Sequence, residues 1–325
     1  MAKTLHLTRR NFFSSVSGGM MGGALLSLLE GEAEAAPLQP HFAPKAKSVI
    51  HLFMNGGPSQ MDLFDPKPEL DRLHGQSYFN EIAGEVENPQ DAGSMMRCPY
   101  TFAQYGQCGM PVSDVMPHLA KRVDDIAFIR SMYSTNLTHE PALFKIHSGQ
   151  ELPGLPTLGA WVSYGLGTVN QSLPSYVVLA DPGGLPVNRT QNWQAGFLPP
   201  VYQGTRFRAS GSPVLDLKQE FEEPQSITAL ERNLIGQLDR LHQKKRSSSP
   251  ELGARIASYE LAARMQLAAP NALDLSQETS DTLRNYGVGK SPTNSYGRRC
   301  LIARRLVERG VRFVQLFVNF QPWDN

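Results

Sequence analysis

Leu301-Ile-Ala-Arg-Arg-Leu-Val-Glu-Arg-Gly-Val-Arg-Phe-Val-Gln-Leu-Phe-Val318 is the stretch that decides the fold. A helix running from about Tyr296 to Arg309 stops at Gly310, and the apolar, β-branched run Val311–Val318 then reads as a buried strand. A strand that is apolar at nearly every position belongs to a sheet covered on both sides, which is the habit of parallel sheets. Three more runs of this kind precede it: Ser48–Met54, Ile126–Arg130 and Tyr176–Ala180. Helices fall between them, with Leu119–Arg122 closing a short one and Glu140–His147 forming another that stops at Ser148-Gly149. The alternation predicts an α/β fold with a mostly parallel central sheet and helices on both faces.

The texture elsewhere is less regular. Residues 66–112 are rich in Pro, Gly, Asn and Gln and are expected to be a long irregular excursion. Residues 185–213, which hold Trp193, Arg206 and Arg208, are expected to be a second excursion over the surface. Ile227, Leu230, Leu234, Leu238 and Leu241 recur at helical spacing and predict a stripe facing the core. Ser249 with Pro250 at the first helical position opens the next helix, on which Leu252, Ile256 and Tyr259 share a face. The stretch Lys244–Ser249 between these helices reads as a solvated turn.

Both ends carry information. Arg9-Arg10-Asn11-Phe12-Phe13 precedes a glycine-broken apolar run, Val16–Leu29, and Ala33-Glu34-Ala35 then makes a small-x-small cleavage pattern before Ala36. Residues 1–35 therefore read as a twin-arginine signal peptide, and the protein is expected to be periplasmic or otherwise exported by the twin-arginine machinery. The apolar run is too short and too rich in glycine for a stable membrane span, which needs about 20 strongly apolar residues. At the other end the chain stops a few residues after a strand expected inside the sheet. Residues 36–325 are thus expected to be the N-terminal part of one larger domain, a C-terminally truncated copy.

Composition bounds the partners. With 325 residues, 41% of them hydrophobic, the chain can bury a large core. A net charge of +1 gives no electrostatic reason to expect nucleic acid or an anionic membrane surface. Cys98, Cys108 and Cys300 are too few for a disulfide framework. Cys98 and Cys108 lie in one loop and stand open as either a pair or two free thiols.

In a sheet of this kind ligands bind beyond the carboxyl ends of the strands. That rule selects residues 55–65, 135–149 and 323–324. In the first, Asn55-Gly56-Gly57-Pro58 leads to Asp62 and Asp65, either a loop poised for a metal or oxyanion or a tight turn with capping carboxylates. In the second, Thr138 and His139 precede Glu140-Pro141, where a helix N-terminus favours an anion and an activated nucleophile, with Thr138 as a plain N-cap the alternative. His147, at the far end of that helix, reads as a partner for the C-terminal dipole. Asp324, past the last strand, serves equally as metal ligand or cap.

Taken together, these motifs resemble one family. The arginine pair, Gly56-Gly-Pro-Ser59 leading to Asp65-Pro-Lys-Pro68, Thr138-His-Glu-Pro-Ala142 with Ser148-Gly149, the 301–314 segment and Trp323-Asp324 all fit the bacterial family called domain of unknown function 1501. That family in turn looks like a branch of the alkaline phosphatase and sulfatase superfamily. The resemblance implies an alkaline-phosphatase-like sheet with a divalent metal site (zinc, calcium or magnesium) at the strand carboxyl ends, and a chain continuing past Asp324 with further ligands. Laid on the superfamily pattern, His139 stands where the Cys, Ser or Thr nucleophile belongs, and Asn55 where the first metal Asp belongs. The implied site is therefore His139 and Thr138 for chemistry, with Asn55, Asp62 and Asp324 as metal ligands. Two functions follow as expectations. One is an exported metal-dependent hydrolase of sulfate or phosphate esters, and the other a catalytically degenerate exported protein that binds anionic glycans or a surface partner.

Overall fold

The computed structural model describes residues 42–77, 91, 93–136, 138–208, 224–246, 250–320 and 322–323. The leader, the Ser249 cap and Asp324 lie outside the described residues. The chain divides into two compact units, residues 1–46 and 47–325. All regular elements described below belong to the second.

In chain order these are β1 (Val49–Phe53), α1 (Gln60–Leu63), α2 (Pro68–Leu73), β2 (Phe102–Tyr105), β3 (Met110–Ser113), α3 (Pro117–Ala120) and α4 (His139–Ser148). There follow α5 (Leu158–Leu166), β4 (Tyr176–Leu179), β5 (Thr205–Phe207), α6 (Gln225–Lys244), α7 (Pro250–Leu273), α8 (Ser280–Asn285), α9 (Asn294–Glu308) and β6 (Phe313–Phe317). Four strands make a sheet in the order β1-β6-β4-β5, every neighbouring pair parallel. β2 and β3 form a separate antiparallel ribbon.

The predicted parallel sheet with helices on both faces is present. β6 lies between β1 and β4, and its side chains alternate between two cores as the pleat requires. Val314 and Leu316, with Val177, Leu179 and Phe207, pack against Met265, Ala269 and Ala272 of α7 and Leu301, Ile302 and Leu306 of α9. Phe313 and Phe317, with Tyr176, Val178 and Trp193, form the other core, onto which Val162 of α5 packs. α5 comes so close to β4 that a Cβ on Gly159 would sit 2.5 Å from the Tyr176 ring. Each of these fully buried large side chains contributes about 1.5–3 kcal/mol relative to exposure. Arg305 ties α9 to the end of α7 by pairing with Glu278 and donating to the Ala272 and Asn271 carbonyls.

Four local expectations give way. Ile126–Arg130 is not a strand: Ile129 is 72% exposed, and the segment follows a 3-10 turn, Val123–Asp125, with only Phe128 turned inward against Phe64. An apolar run without a neighbouring strand has nothing to pair its backbone with. The 66–112 excursion contains α2, β2 and the start of β3. The 185–213 excursion supplies a sheet strand, β5, and the buried Trp193, whose ring lies 5.5 Å from that of Phe317. The stripe on α6 does not face the core, its leucines and isoleucines being 46–69% exposed. Periodicity shows that a helix has an apolar face and is silent on what covers it.

Candidate functional site

β1, β4 and β6 run parallel and end together, so the residues just past Phe53, Leu179 and Phe317 gather at one edge of the sheet. Asn55 is buried there. Its Oδ1 accepts from the Val318 N–H at 3.0 Å and its Nδ2 donates to the Phe320 carbonyl, which stitches the exit of β1 to the exit of β6. Gly56 and Gly57 follow with φ of 91° and 74°, a left-handed pair that side-chain-bearing residues avoid, and Gly57 N–H closes a turn onto the Met54 carbonyl. The loop is a tight turn here, but neither Asp62 nor Asp65 caps the helix that follows, α1 and α2 having no side-chain cap.

At the exit of β4, Asp181 accepts from the Gly183 N–H at 2.8 Å and pairs with Arg299 of α9. Arg299 is 1% exposed and also donates to the Phe317 carbonyl, so one guanidinium holds the ends of β4 and β6 together. Asn319 packs against Gly183 and Gly184, and its buried Oδ1 has no hydrogen-bond partner among the described residues.

α4 is tied at its N-terminus to the segment that follows β4. Thr138 takes the N-cap position, but its hydroxyl and its N–H both donate to Asn136 Oδ1, at 2.8 and 2.9 Å, so no side chain caps the helix. Pro141, in the first turn, has no N–H to offer. Glu151 holds this approach by accepting from Thr135 and Asn136, which keep its carboxyl below the usual carboxylate range. Asn188, in the segment leaving β4 and itself at φ 65°, donates to the Glu140 carbonyl at 2.7 Å. Thr138 and His139 are thereby anchored next to the chain that leaves the β4 carboxyl end.

The other end of α4 departs from expectation. His147 is buried against Phe53 and Phe317, its ring 4.5 and 5.6 Å from theirs. Its Nδ1 lies 3.5 Å from Gln315 Nε2, and its Nε2 has no partner among the described residues. Burial, and secondarily the neighbouring His51, pushes its pKa down to about 3, so the ring is neutral and is no cationic partner for the helix dipole. His51 is lowered by burial as well. Gln315 in turn accepts from the Tyr176 hydroxyl, and burial raises the pKa of that phenol.

Asp62 sits in α1 beside the Cys98 thiol, whose pKa is raised first by burial and then by that carboxylate. Asp65 is held by Lys67 at 2.6 Å and by Arg130, the two interactions that lower its pKa. Cys98, Cys108 and Cys300 are all free thiols. Of the residues selected by sequence, Asn55 is thus placed at the strand exits, Thr138 and His139 start a helix tied through Glu140 to Asn188 in the segment that follows β4, Asp62 has a local partner in Cys98, and Asp324 is outside the described residues. No group of three His, Cys, Asp or Glu side chains among the described residues is placed to hold a metal.

The sequence reading passed over Asp181, Arg299, Asn319 and the His51–His147–Gln315 cluster. A polar Gln315 inside the apolar run Val311–Val318 was the one signal pointing to the last of these. Fold and edge together define a mixed α/β protein whose parallel sheet gathers polar side chains beyond its carboxyl ends. The chain belongs to the family described as Protein of unknown function (DUF1501), whose model matches residues 46–325. No curated protein and no solved structure matches it.

Proposed function

We propose that this is an exported, alkaline-phosphatase-like hydrolase of sulfate or phosphate esters, with the anionic group of the ester bound at the N-terminus of α4 beside Thr138 and His139. The observation that carries this reading is the uncapped start of α4, docked by the Asn188–Glu140 bond onto the segment leaving β4. Helix N-termini stabilise anions through their first-turn amides and dipole. An imidazole in that turn serves as nucleophile or general base toward a bound ester. A divalent cation (zinc, calcium or magnesium) belongs to the proposal, but the described residues do not compose its site. The Asn55 amide is spent on backbone and Asp62 faces Cys98.

The same observation about Asn55, with the pairing of Asp181 to Arg299, favours a second reading. Two polar groups at the strand exits hold the chain together rather than standing open, as suits an exported protein that binds an anionic glycan or surface partner without turnover.

Hydrolysis of aryl sulfate and aryl phosphate, assayed with added zinc, calcium or magnesium and with chelator, separates the two. The hydrolase reading expects metal-stimulated turnover that falls roughly 100-fold or more in His139→Ala. Saturable ester binding with no turnover under any metal leaves the binding reading, and neither result overturns both.

A further inference from the structure

The opposite edge of the sheet carries a cleft of about 460 Å³. Its floor is the segment entering β4, with Asn170 and Ser172, and the end of α9, with Arg309. Its walls are α7, which contributes Arg264 and Asn271, and α6, which contributes Arg232. Asn170 organises the floor: its Oδ1 accepts from the Ser172 and Leu173 N–H groups at 2.7 and 3.0 Å, and its Nδ2 donates to the Arg309 carbonyl.

Three arginines line this space, and no acidic residue does among the described lining residues. Their hydrogen-bond partners are neutral. Arg309 donates to the Asn271 side chain and the Arg305 carbonyl, both at 3.1 Å, Arg264 to the Gln171 carbonyl at 2.7 Å, and Arg232 to Gln266 at 2.6 Å. Among the described residues one acid, Glu260, comes within ion-pair distance of these arginines, 3.9 Å from Arg264 on an exposed helix face. Other arginines of α9 are treated differently, since Arg299 is paired with Asp181 and Arg304 and Arg305 share Glu278.

Three cationic residues lining one cleft disfavour one another, and an anion that several of them share relieves that repulsion. Guanidinium presents its donors in a fork that matches two oxygens of a tetrahedral oxyanion. The volume is at the small-ligand end of the range for binding clefts. We infer that this cleft binds a doubly charged tetrahedral oxyanion, sulfate or phosphate, either free or as the monoester of a small sugar. The site lies at the strand amino ends, away from α4, and does not rest on the hydrolase reading.

The test is calorimetric titration of the whole chain with sodium sulfate, inorganic phosphate, glucose 6-sulfate and glucose 6-phosphate in chloride buffer at constant ionic strength. A saturable component is expected that weakens about tenfold in Arg309→Gln and in Arg232→Gln, and that is unchanged by Arg240→Gln, an exposed arginine of α6 that does not line the cleft. Sugar esters binding at least tenfold tighter than the inorganic anions identify the ester as ligand, and equal affinity identifies the free oxyanion. Because Arg309 also bonds within the fold, melting of each variant is measured, and the exposed Arg232 carries the result if Arg309→Gln unfolds. Non-saturating heats overturn the inference. So does an affinity unmoved by replacement of the cleft arginines, or one lost equally in Arg240→Gln.

Discussion

His147 shows how burial overrides position along a helix. In the last turn of α4 a histidine ordinarily gains from the dipole by being charged, yet two phenylalanine rings and a neighbouring His51 keep this one neutral. The consequence is a pH dependence of known sign. In the unfolded chain the ring titrates near 6.5, and in the folded chain near about 3, so at pH above 6.5 both states are neutral and full stability is present. Below that, the unfolded state binds a proton the folded state refuses, and stability falls by up to about 1.4 kcal/mol per pH unit, roughly 2 kcal/mol by pH 5. His51 adds to the loss in the same direction. Denaturant melts between pH 7 and 4 should show this slope, and His147→Met should flatten it in part. An identical slope in the variant would mean that other groups set the acid limit. None of this was visible in the sequence, where His147 carried only its place on a helix and the rings that bury it come from strands far away in the chain.

Among the elements, α6 and α9 make the instructive contrast. Both have regularly spaced apolar residues, but α9 presses Leu301, Ile302 and Leu306 into the sheet while the α6 stripe stays open to solvent. Ile302→Ala is therefore expected to cost about 2–5 kcal/mol through lost burial and the cavity left behind. Leu234→Gln should change stability by less than about 0.5 kcal/mol, the range for exposed positions away from special features. Chemical denaturation of both variants decides the matter, and a Leu234→Gln cost comparable to that of Ile302→Ala would show the stripe to be covered in solution. Helix α9 was readable because the glycine at its end and the all-apolar strand beyond it leave little choice of layer. Residues 205–207, as short as β5 is, carry no such pattern, and they become a strand only because β4 offers them a free parallel edge.

For the molecule as a whole, the proposed export rests on the arginine pair at the start of the chain. Replacing Arg9 and Arg10 together by Lys is expected to hold the precursor in the cytoplasm, while the unaltered chain yields a mature protein beginning near Ala36. Fractionation with N-terminal sequencing checks both, and mature periplasmic protein from the double variant would refute the twin-arginine route. The layered α/β plan was legible in the same way, because apolar runs at strand length, separated by helices, have few ways to hide from water other than a parallel sheet covered on both faces. Family membership followed from local motifs, which survive in one dimension. What the linear order could not convey is which polar groups meet. Asn55 reaches Val318 across more than two hundred and fifty residues, Asp181 reaches Arg299, and three arginines from α6, α7 and α9 border one cleft. Such encounters depend on how strands stack in the sheet and how helices lie across it, and those arrangements are set by packing over the entire chain rather than by the spacing of residues along any part of it.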